Sequence, residues 1–349
     1  MAELGDGEFV TVIGSGSWGT TLALLVARKG LATVLWVRTP QEVQTLQSDG
    51  ENKRFLPGPK FPPALRVTAN LDEALAPGCV MIILASPSGE MRANLRLCYP
   101  YLEKLPNPPI ILSAAKGLEK DNLYRMTEII AQEWPQGEAA GKICALSGPN
   151  LAREIADGKP GATVIAGREA ATIEKAQQII TSRTFRVYTN TDVVGVELAG
   201  ALKNIIALGA GLSDGLEAGD NAKGAFMTRG MAEIGRLGVA AGANPLTFLG
   251  LAGLGDMVAT CSSRYSRNRH VGEELAKGKS LKEIIQGMSQ VAEGVYTTVA
   301  ARKLAEKYGV EMPITEQLYQ VMFEGKSPIA AIADLMLREP TEEMYGFSL

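Results

Sequence analysis

The chain has 349 residues, 35 Lys+Arg against 38 Asp+Glu, a formal net charge of −3, 46% hydrophobic residues and 21% charged ones. The near-balanced charge excludes a polybasic nucleic-acid binder, and the apolar content fills the cores of about two domains, which excludes global disorder. A single histidine, His270, excludes HExxH zinc sites and other multi-imidazole chemistry, so no metal is expected, and His270 itself reads as a structural or surface residue.

Cys79, Cys98, Cys144 and Cys261 lie far apart with no CxxC pair, which fits a reducing compartment better than a zinc site or a disulfide framework. The opening MAELGDGEFV carries acidic residues where a signal peptide needs a basic start. No later apolar stretch approaches the roughly 18 residues that span a bilayer. The expectation is a cytoplasmic chain without a membrane span.

In chain order, short apolar or β-branched runs alternate with helix-length segments, the pattern of a parallel sheet covered by helices. Strands are predicted at Phe9–Ile13, Thr33–Val37, Val80–Leu84, Ile110–Ser113, Ile143–Leu146, Thr163–Ala166 and Arg186–Tyr188, with helices over Thr20–Lys29, Gly89–Leu105, Tyr124–Glu133 and Ala170–Ser182. Asn52–Pro63, with four prolines and a glycine, reads as a loop. From about Asp192 the strand signal stops. Helical windows follow at Val193–Leu212, Lys223–Ala241, Arg267–Ala276, Ser280–Gln286, Val291–Tyr308, Thr315–Phe323 and Ile329–Leu337. The fold class is therefore α/β: a Rossmann-like parallel-sheet domain over 1–191, then an all-helical domain over 192–349; the motifs that follow make the first the expected dinucleotide-binding domain and the second the expected substrate-binding and catalytic one.

Directly after the first predicted strand comes Gly14-Ser15-Gly16-Ser17-Trp18-Gly19. In this setting Gly14 permits a tight turn, Gly16 lets a pyrophosphate approach the backbone, and Gly19 lets helix and strand pack closely. The helix start adds unpaired N–H groups and the positive end of its dipole. After the second strand, where an acidic residue would accept a ribose 2′-OH, stands Arg38. It either pairs with a 2′-phosphate, which favours NADP over NAD, or stacks on adenine or faces solvent.

In the apolar stretch VVGVELAGALKNIIALGAGL, Lys203 is either a buried ammonium with a lowered pKa, suited to proton transfer, or one whose head reaches water. Lys116 follows the Ile110–Ser113 strand at the edge where α/β proteins bind ligands, unless it is a solvated loop lysine. Asp256 follows flexible glycines in GLGD. Ser266-Arg267-Asn268-Arg269 gathers donors suited to an anion at a helix start, and both stretches also read as surface turns.

These motifs together resemble the bacterial-type NAD(P)-dependent sn-glycerol-3-phosphate dehydrogenases. The likeness runs over nearly the whole chain: GSGSWGTTLA, the N-x-x-F-L-P segment at Asn52–Pro57, AAKGLE, SGPNLARE, ELAGALKNIIALGAG, GLGDMVATC and SRNR, in that order. The resemblance implies reversible reduction of dihydroxyacetone phosphate to sn-glycerol 3-phosphate, a backbone for glycerophospholipids. It implies Lys203 as general acid/base with Lys116 and Asp256 beside the reacting carbons, and Gly148, Asn150, Ser266, Arg267 and Asn268 on the substrate. It further implies Ser17, Trp18, Arg38, Phe55, Lys116, Ala152, Arg267, Val291 and Glu293 as cofactor contacts, with NADP or NAD as cofactor. Asn150 departs from the Ser or Thr that many bacterial members carry after Gly-Pro. The Gly- and Ala-rich helices fit a homodimer interface or a monomer alike. Two rivals are a β-hydroxyacid or 6-phosphogluconate type dehydrogenase, which does not share GLGD, SRNR and AAKGLE in this arrangement, and a nicotinamide-sensing protein without turnover.

Overall fold

A computed structural model describes residues 4–288, 292–343 and 345–346. The chain forms two compact units, Met1–Lys116 with Tyr124–Val193, and Gly117–Leu123 with Val194–Leu349.

Among its described residues the first unit holds ten strands: β1 Phe9–Ile13, β2 Thr33–Trp36, β3 Glu51–Asn52, β4 Leu56–Lys60, β5 Leu65–Thr68, β6 Cys79–Leu84, β7 Ile110–Ser113, β8 Ile143–Ser147, β9 Gly161–Gly167 and β10 Phe185–Asn190. Eight of them make one sheet in the order β10-β9-β8-β7-β6-β1-β2-β5, parallel at every pairing except β8 with β9. The helices of this unit are α1 Ser17–Ala27, α2 Pro40–Asp49, α3 Leu71–Ala74, α4 Met91–Leu102, α5 Met126–Glu133, α6 Pro135–Ala139, α7 Ala152–Ala156 and α8 Ala170–Ile180. Alternation along each strand sends Val10, Val12, Leu35, Met81 and Ile83 into one core and Ile13, Val34, Trp36, Ile82 and Leu84 into a second. A sheet covered on both faces needs strands that are apolar throughout, which is why these runs read as nearly continuous hydrophobic segments.

β1 is the point at which the winding reverses, since β2 and β5 lie on one side of it and β6 to β10 on the other. Open α/β sheets bind ligands outside the carboxyl ends of the strands at such a point.

The loop expectation needs correction here. The 52–63 segment is not wholly a loop, because Leu56–Lys60 pairs antiparallel with Glu51–Asn52. Pro57 and Pro59 are tolerated because this ribbon has only two strands, and proline is admitted on edges where no ladder donor is needed. Strand β5 also escaped the pattern reading: its run Leu-Arg-Val-Thr carries an exposed Arg66 between Leu65 and Val67 and lacks the continuous apolar stretch of strands such as β6 and β7.

The second unit is helical among its described residues: α9 Val193–Gly215, α10 Asp220–Ala240, α11 Pro245–Phe248, a π-turn at Leu251–Gly255, α12 Asp256–Ser262, α13 Arg267–Ala276, α14 Leu281–Gln286, α15 Glu293–Tyr308, α16 Pro313–Phe323 and α17 Pro328–Met336. The expectation that no apolar stretch approaches membrane length is corrected by α9, which at 23 residues is long and apolar enough to cross one, as is Pro245–Ser262 by length and composition. α9 is buried along most of its length and is the core helix of its unit. Its glycines serve close packing: a Cβ on Gly211 would sit 1.9 Å from Arg269 O, and one on Gly272 of α13 would sit 1.9 Å from Leu208 O. The two helices thus touch backbone to backbone, which sets α13 against the middle of α9. α16 is anchored differently. The buried carboxylate of Glu233 on α10 accepts from the amides of Ile314 and Thr315, each at 2.8 Å, meeting the orphan donors at that helix start.

Candidate active site

The glycine loop behaves as its spacing demands. Gly14 has φ 115°, and a Cβ there would lie 3.0 Å from the backbone of Ala85, just beyond β6. Gly19 would drive a Cβ to 1.9 Å from Gly14 O, so α1 can start against the turn only with glycine there. At Gly16, the residue that opens α1, a Cβ would meet nothing within 4 Å, and no side chain caps the helix. An uncapped helix start beside open space presents N–H donors and a positive dipole end, which suits a pyrophosphate.

The NxxF segment holds this loop in place. Asn52 Nδ2 donates to Ser15 O at 2.7 Å and to Thr20 Oγ1 at 2.8 Å, while Asn52 Oδ1 accepts from the Phe55 amide at 3.2 Å. Ser17 Oγ donates to Phe55 O at 2.7 Å, and Ser15 Oγ bonds to Glu42 on α2. Ala152 O, at the start of α7, lies 3.1 Å from Thr21 Oγ1 on α1. Trp18 packs edge-on against Phe185 with ring centroids 6.4 Å apart, and its buried Nε1 has no partner. Ser86, Ser113 and Ser147, beyond or at the ends of β6, β7 and β8, also carry buried hydroxyls without partners. Orphaned polar groups along this sheet edge fit a polar ligand of dinucleotide kind.

Arg38 follows β2 as expected, but its Nη2 is paired with Glu90 Oε2 at 2.7 Å. On the same unit, Lys116 Nζ donates to Gly148 O at 2.9 Å. Gly148 has φ 150°, and a Cβ there would lie 2.9 Å from Thr163 Cα. Asn150 uses both ends of its amide on β9, with Nδ2 donating to Ala162 O at 3.2 Å and Oδ1 3.0 Å from Thr163 Oγ1.

In the second unit, Lys203 and Asp256 come together. Lys203 is only 5% exposed and Asp256 2%, with Nζ 3.1 Å from Oδ1. Thr260 closes a triangle, accepting from Lys203 Nζ at 2.6 Å and donating to Asp256 Oδ1 at 3.1 Å. The lysine head is therefore turned inward to a carboxylate. The π-turn explains how Asp256 gets there: a Cβ on Gly253 would lie 2.1 Å from Phe248 O, so this glycine of GLGD is tightly packed and not the flexible one that the sequence led us to expect. Burial pushes the Cys261 thiol up to about 12, which removes it as a nucleophile in this cluster.

The SRNR stretch divides its work. Ser266 caps α13, its Oγ accepting from the Arg269 amide at 3.2 Å. Asn268 is buried, donating from Nδ2 to Asn204 Oδ1 at 2.8 Å and accepting at Oδ1 from the Gly294 amide at 2.9 Å, which ties α9, α13 and the start of α15 together. The protein around Arg267 lowers its guanidinium pKa by desolvation, and neighbouring Glu293 works against that shift. Val291 lies outside the described residues. Two partners were not singled out in the sequence: Thr260, which joins Lys203 and Asp256 in the second unit, and Glu90, which pairs with Arg38 in the first. Thr260 left a signal there, four residues after Asp256 on the same helix face, and Asn204 stood out as the polar neighbour of Lys203 in an apolar stretch without a role assigned to it. Among the described residues no group of three His, Cys, Asp or Glu is placed to hold a metal ion.

A reversing parallel sheet with an open glycine-helix start, followed by a helical unit with a buried lysine–aspartate pair, defines the class of nicotinamide-dinucleotide oxidoreductases. Comparison with known proteins narrows this. Residues 9–173 match the family described as the NAD-dependent glycerol-3-phosphate dehydrogenase N-terminus, and residues 192–333 match its C-terminus. A glycerol-3-phosphate dehydrogenase [NAD(P)+] from Dehalococcoides mccartyi is 49% identical over 97% of this chain and 93% of its own length, and one from Chlorobium limicola is 46% identical over 96% and 99%. The crystal structure of glycerol-3-phosphate dehydrogenase from Coxiella burnetii superposes with a TM-score of 0.87 at 36% identity, covering 95% of this chain and all of that one. The chain belongs to the NAD(P)-dependent glycerol-3-phosphate dehydrogenase family, whose members act on the CH–OH group of glycerol 3-phosphate.

Proposed function

We propose that this protein works chiefly in the reducing direction, converting dihydroxyacetone phosphate to sn-glycerol 3-phosphate as a backbone for glycerophospholipids, in the cytoplasm and as a homodimer. The observation that carries the reading is the buried Lys203 ammonium held between Asp256 and Thr260. The 1–191 region binds the dinucleotide and 192–349 binds substrate and supplies the acid. The bound reduced nicotinamide supplies the hydride that C2 of the substrate accepts.

As C2 is reduced, its carbonyl oxygen gains negative charge. Lys203 Nζ stabilises that charge and passes a proton to the oxygen, becoming a neutral amine that water then reprotonates. Asp256 and Thr260 fix Nζ, so little reorganisation is needed when charge develops. Lys116 is the second cation near the reacting carbons. Arg267, with Ser266, Asn268, Gly148 and Asn150, orients the phosphate end, for which a guanidinium offers paired donors. Gly14, Gly16, Ser17, Trp18, Gly19, Arg38, Phe55, Ala152, Val291 and Glu293, with Lys116 and Arg267, hold the dinucleotide, and Arg38 favours NADPH.

The test follows nicotinamide absorbance with dihydroxyacetone phosphate, with unphosphorylated dihydroxyacetone as control and NADPH and NADH in parallel. Oxidation that requires the phosphate supports the reading. A folded, dinucleotide-binding protein that oxidises neither cofactor would favour a sensor.

A further inference from the structure

The end of β2 lacks the carboxylate that a ribose 2′-OH would bond. Arg38 has only donors, and Thr39 Oγ1 is engaged as the cap of α2, accepting from the Glu42 amide at 3.2 Å. A carboxylate nevertheless reaches that place from another element. Glu90 ends the short 3₁₀ turn Ser88–Glu90 after β6, and its Oε2 meets Arg38 Nη2 at 2.7 Å.

β2 and β6 flank β1 on opposite sides. With strands about 4.8 Å apart, the pair bridges two inter-strand spacings past the carboxyl end of β1. That is where the chain reverses its winding and where the glycine loop begins. The contact is a single N–O pair with both side chains about half exposed, 59% for Arg38 and 47% for Glu90. An exposed pair of this kind adds little to folding and opens readily, so its retention is not needed for stability.

We propose that Arg38 and Glu90 form a two-way selector for the adenosine ribose: a 2′-phosphate takes Arg38 away from Glu90, whereas a free 2′-hydroxyl donates to the Glu90 carboxylate. Glu90 thus supplies from β6 the acceptor that β2 lacks, and it opposes the phosphorylated cofactor by like charge while Arg38 favours it. The selector rests on the dinucleotide reading above and explains how one site accepts both cofactors.

The experiment is a binding titration, independent of turnover. NADPH and NADH are added to the wild type, Glu90→Gln and Arg38→Ala, and affinity is read from tryptophan quenching and nicotinamide fluorescence. Glu90→Gln is expected to tighten NADPH about threefold and weaken NADH by about the same, moving the ratio of dissociation constants about tenfold, the scale of one solvent-screened charge contact. Arg38→Ala is expected to weaken NADPH by about tenfold or more and leave NADH nearly unchanged. Both side chains are exposed, so matched thermal unfolding curves for the three proteins are expected. If Glu90→Gln moves the two cofactors together or moves neither, while Arg38→Ala acts as stated, the selector is overturned and the dinucleotide reading stands. If Arg38→Ala leaves NADPH unchanged, the placement of the ribose is wrong and the selector falls with it.

Discussion

Replacing Lys203 by Met removes the ammonium while keeping an unbranched side chain of similar length. Asp256, 2% exposed, then keeps a buried carboxylate without the cation 3.1 Å away. Deleting one member of a buried pair typically costs about 3–5 kcal/mol, because the remaining charge is left uncompensated. Losing a positioned general acid typically slows turnover about 10²- to 10⁴-fold, or about 3–5 kcal/mol of barrier at about 1.4 kcal/mol per decade. The two penalties are separable. The double variant Lys203→Met/Asp256→Leu removes both charges and restores an apolar interior, so it is expected to regain most of the stability and none of the activity. Thr260→Val supplies a third point: it deletes the bonds at 2.6 and 3.1 Å that position Nζ and the carboxylate, and should lower kcat without abolishing it. The assay pairs chemical denaturation with steady-state oxidation of NADPH by dihydroxyacetone phosphate. Turnover by Lys203→Met within about threefold of wild type would remove the lysine from proton transfer, the full effect being about 10² or more. A double variant as unstable as the single one would refute the argument from buried charge.

The glycine loop yields a contrast. Gly16→Ala points its methyl into open space and should fold within about 1 kcal/mol of wild type yet bind NADPH at least about tenfold more weakly, whereas Gly19→Ala meets Gly14 O and should lose about 1–3 kcal/mol as well, read by denaturation and fluorescence titration. Glu233→Gln leaves at least one of the α16 amides facing a donor, and an unfolding loss of about 1–3 kcal/mol is expected by denaturant titration. Bonds from Lys277 and Lys279 hold the Glu274 carboxyl down from 4.5 to about 2. The unfolded chain therefore takes up that proton first, and the contribution of Glu274 is present above pH 4.5 and lost as pH falls toward 2. Accordingly, the stability difference between wild type and Glu274→Gln should shrink over that window in thermal melts, and a constant difference would contradict the assignment.

The alternation of apolar runs located seven of the eight strands of the main sheet, because a parallel sheet buried on both faces needs such runs. What it missed was set by context. Leu56–Lys60 looked too proline-rich for a strand until its partner Glu51–Asn52 made it a two-stranded edge. Gly14 and Gly19 of the loop were legible with their separate tasks, since the tight turn and the close helix start are local steric demands. Glu90 was not legible, being 52 residues from Arg38 in the chain and joined to it only by the sheet order. For Lys203, sequence left two environments open, and Asp256 with Thr260 decides between them by turning the ammonium inward. Asn268 read as an anion donor, while its amide is also the tie between Asn204 and Gly294.

The most direct measurement follows the transferred hydrogen. Dihydroxyacetone phosphate is reduced by the protein with NADPH deuterated at C4 of the nicotinamide on the transferred face, in ordinary water, and the product is analysed by mass spectrometry and NMR. The account predicts one deuterium, bonded to C2 of sn-glycerol 3-phosphate, with the hydroxyl proton drawn from solvent by way of Lys203. Glycerol 3-phosphate without deuterium at C2, or no product from a protein that binds the dinucleotide, would contradict it.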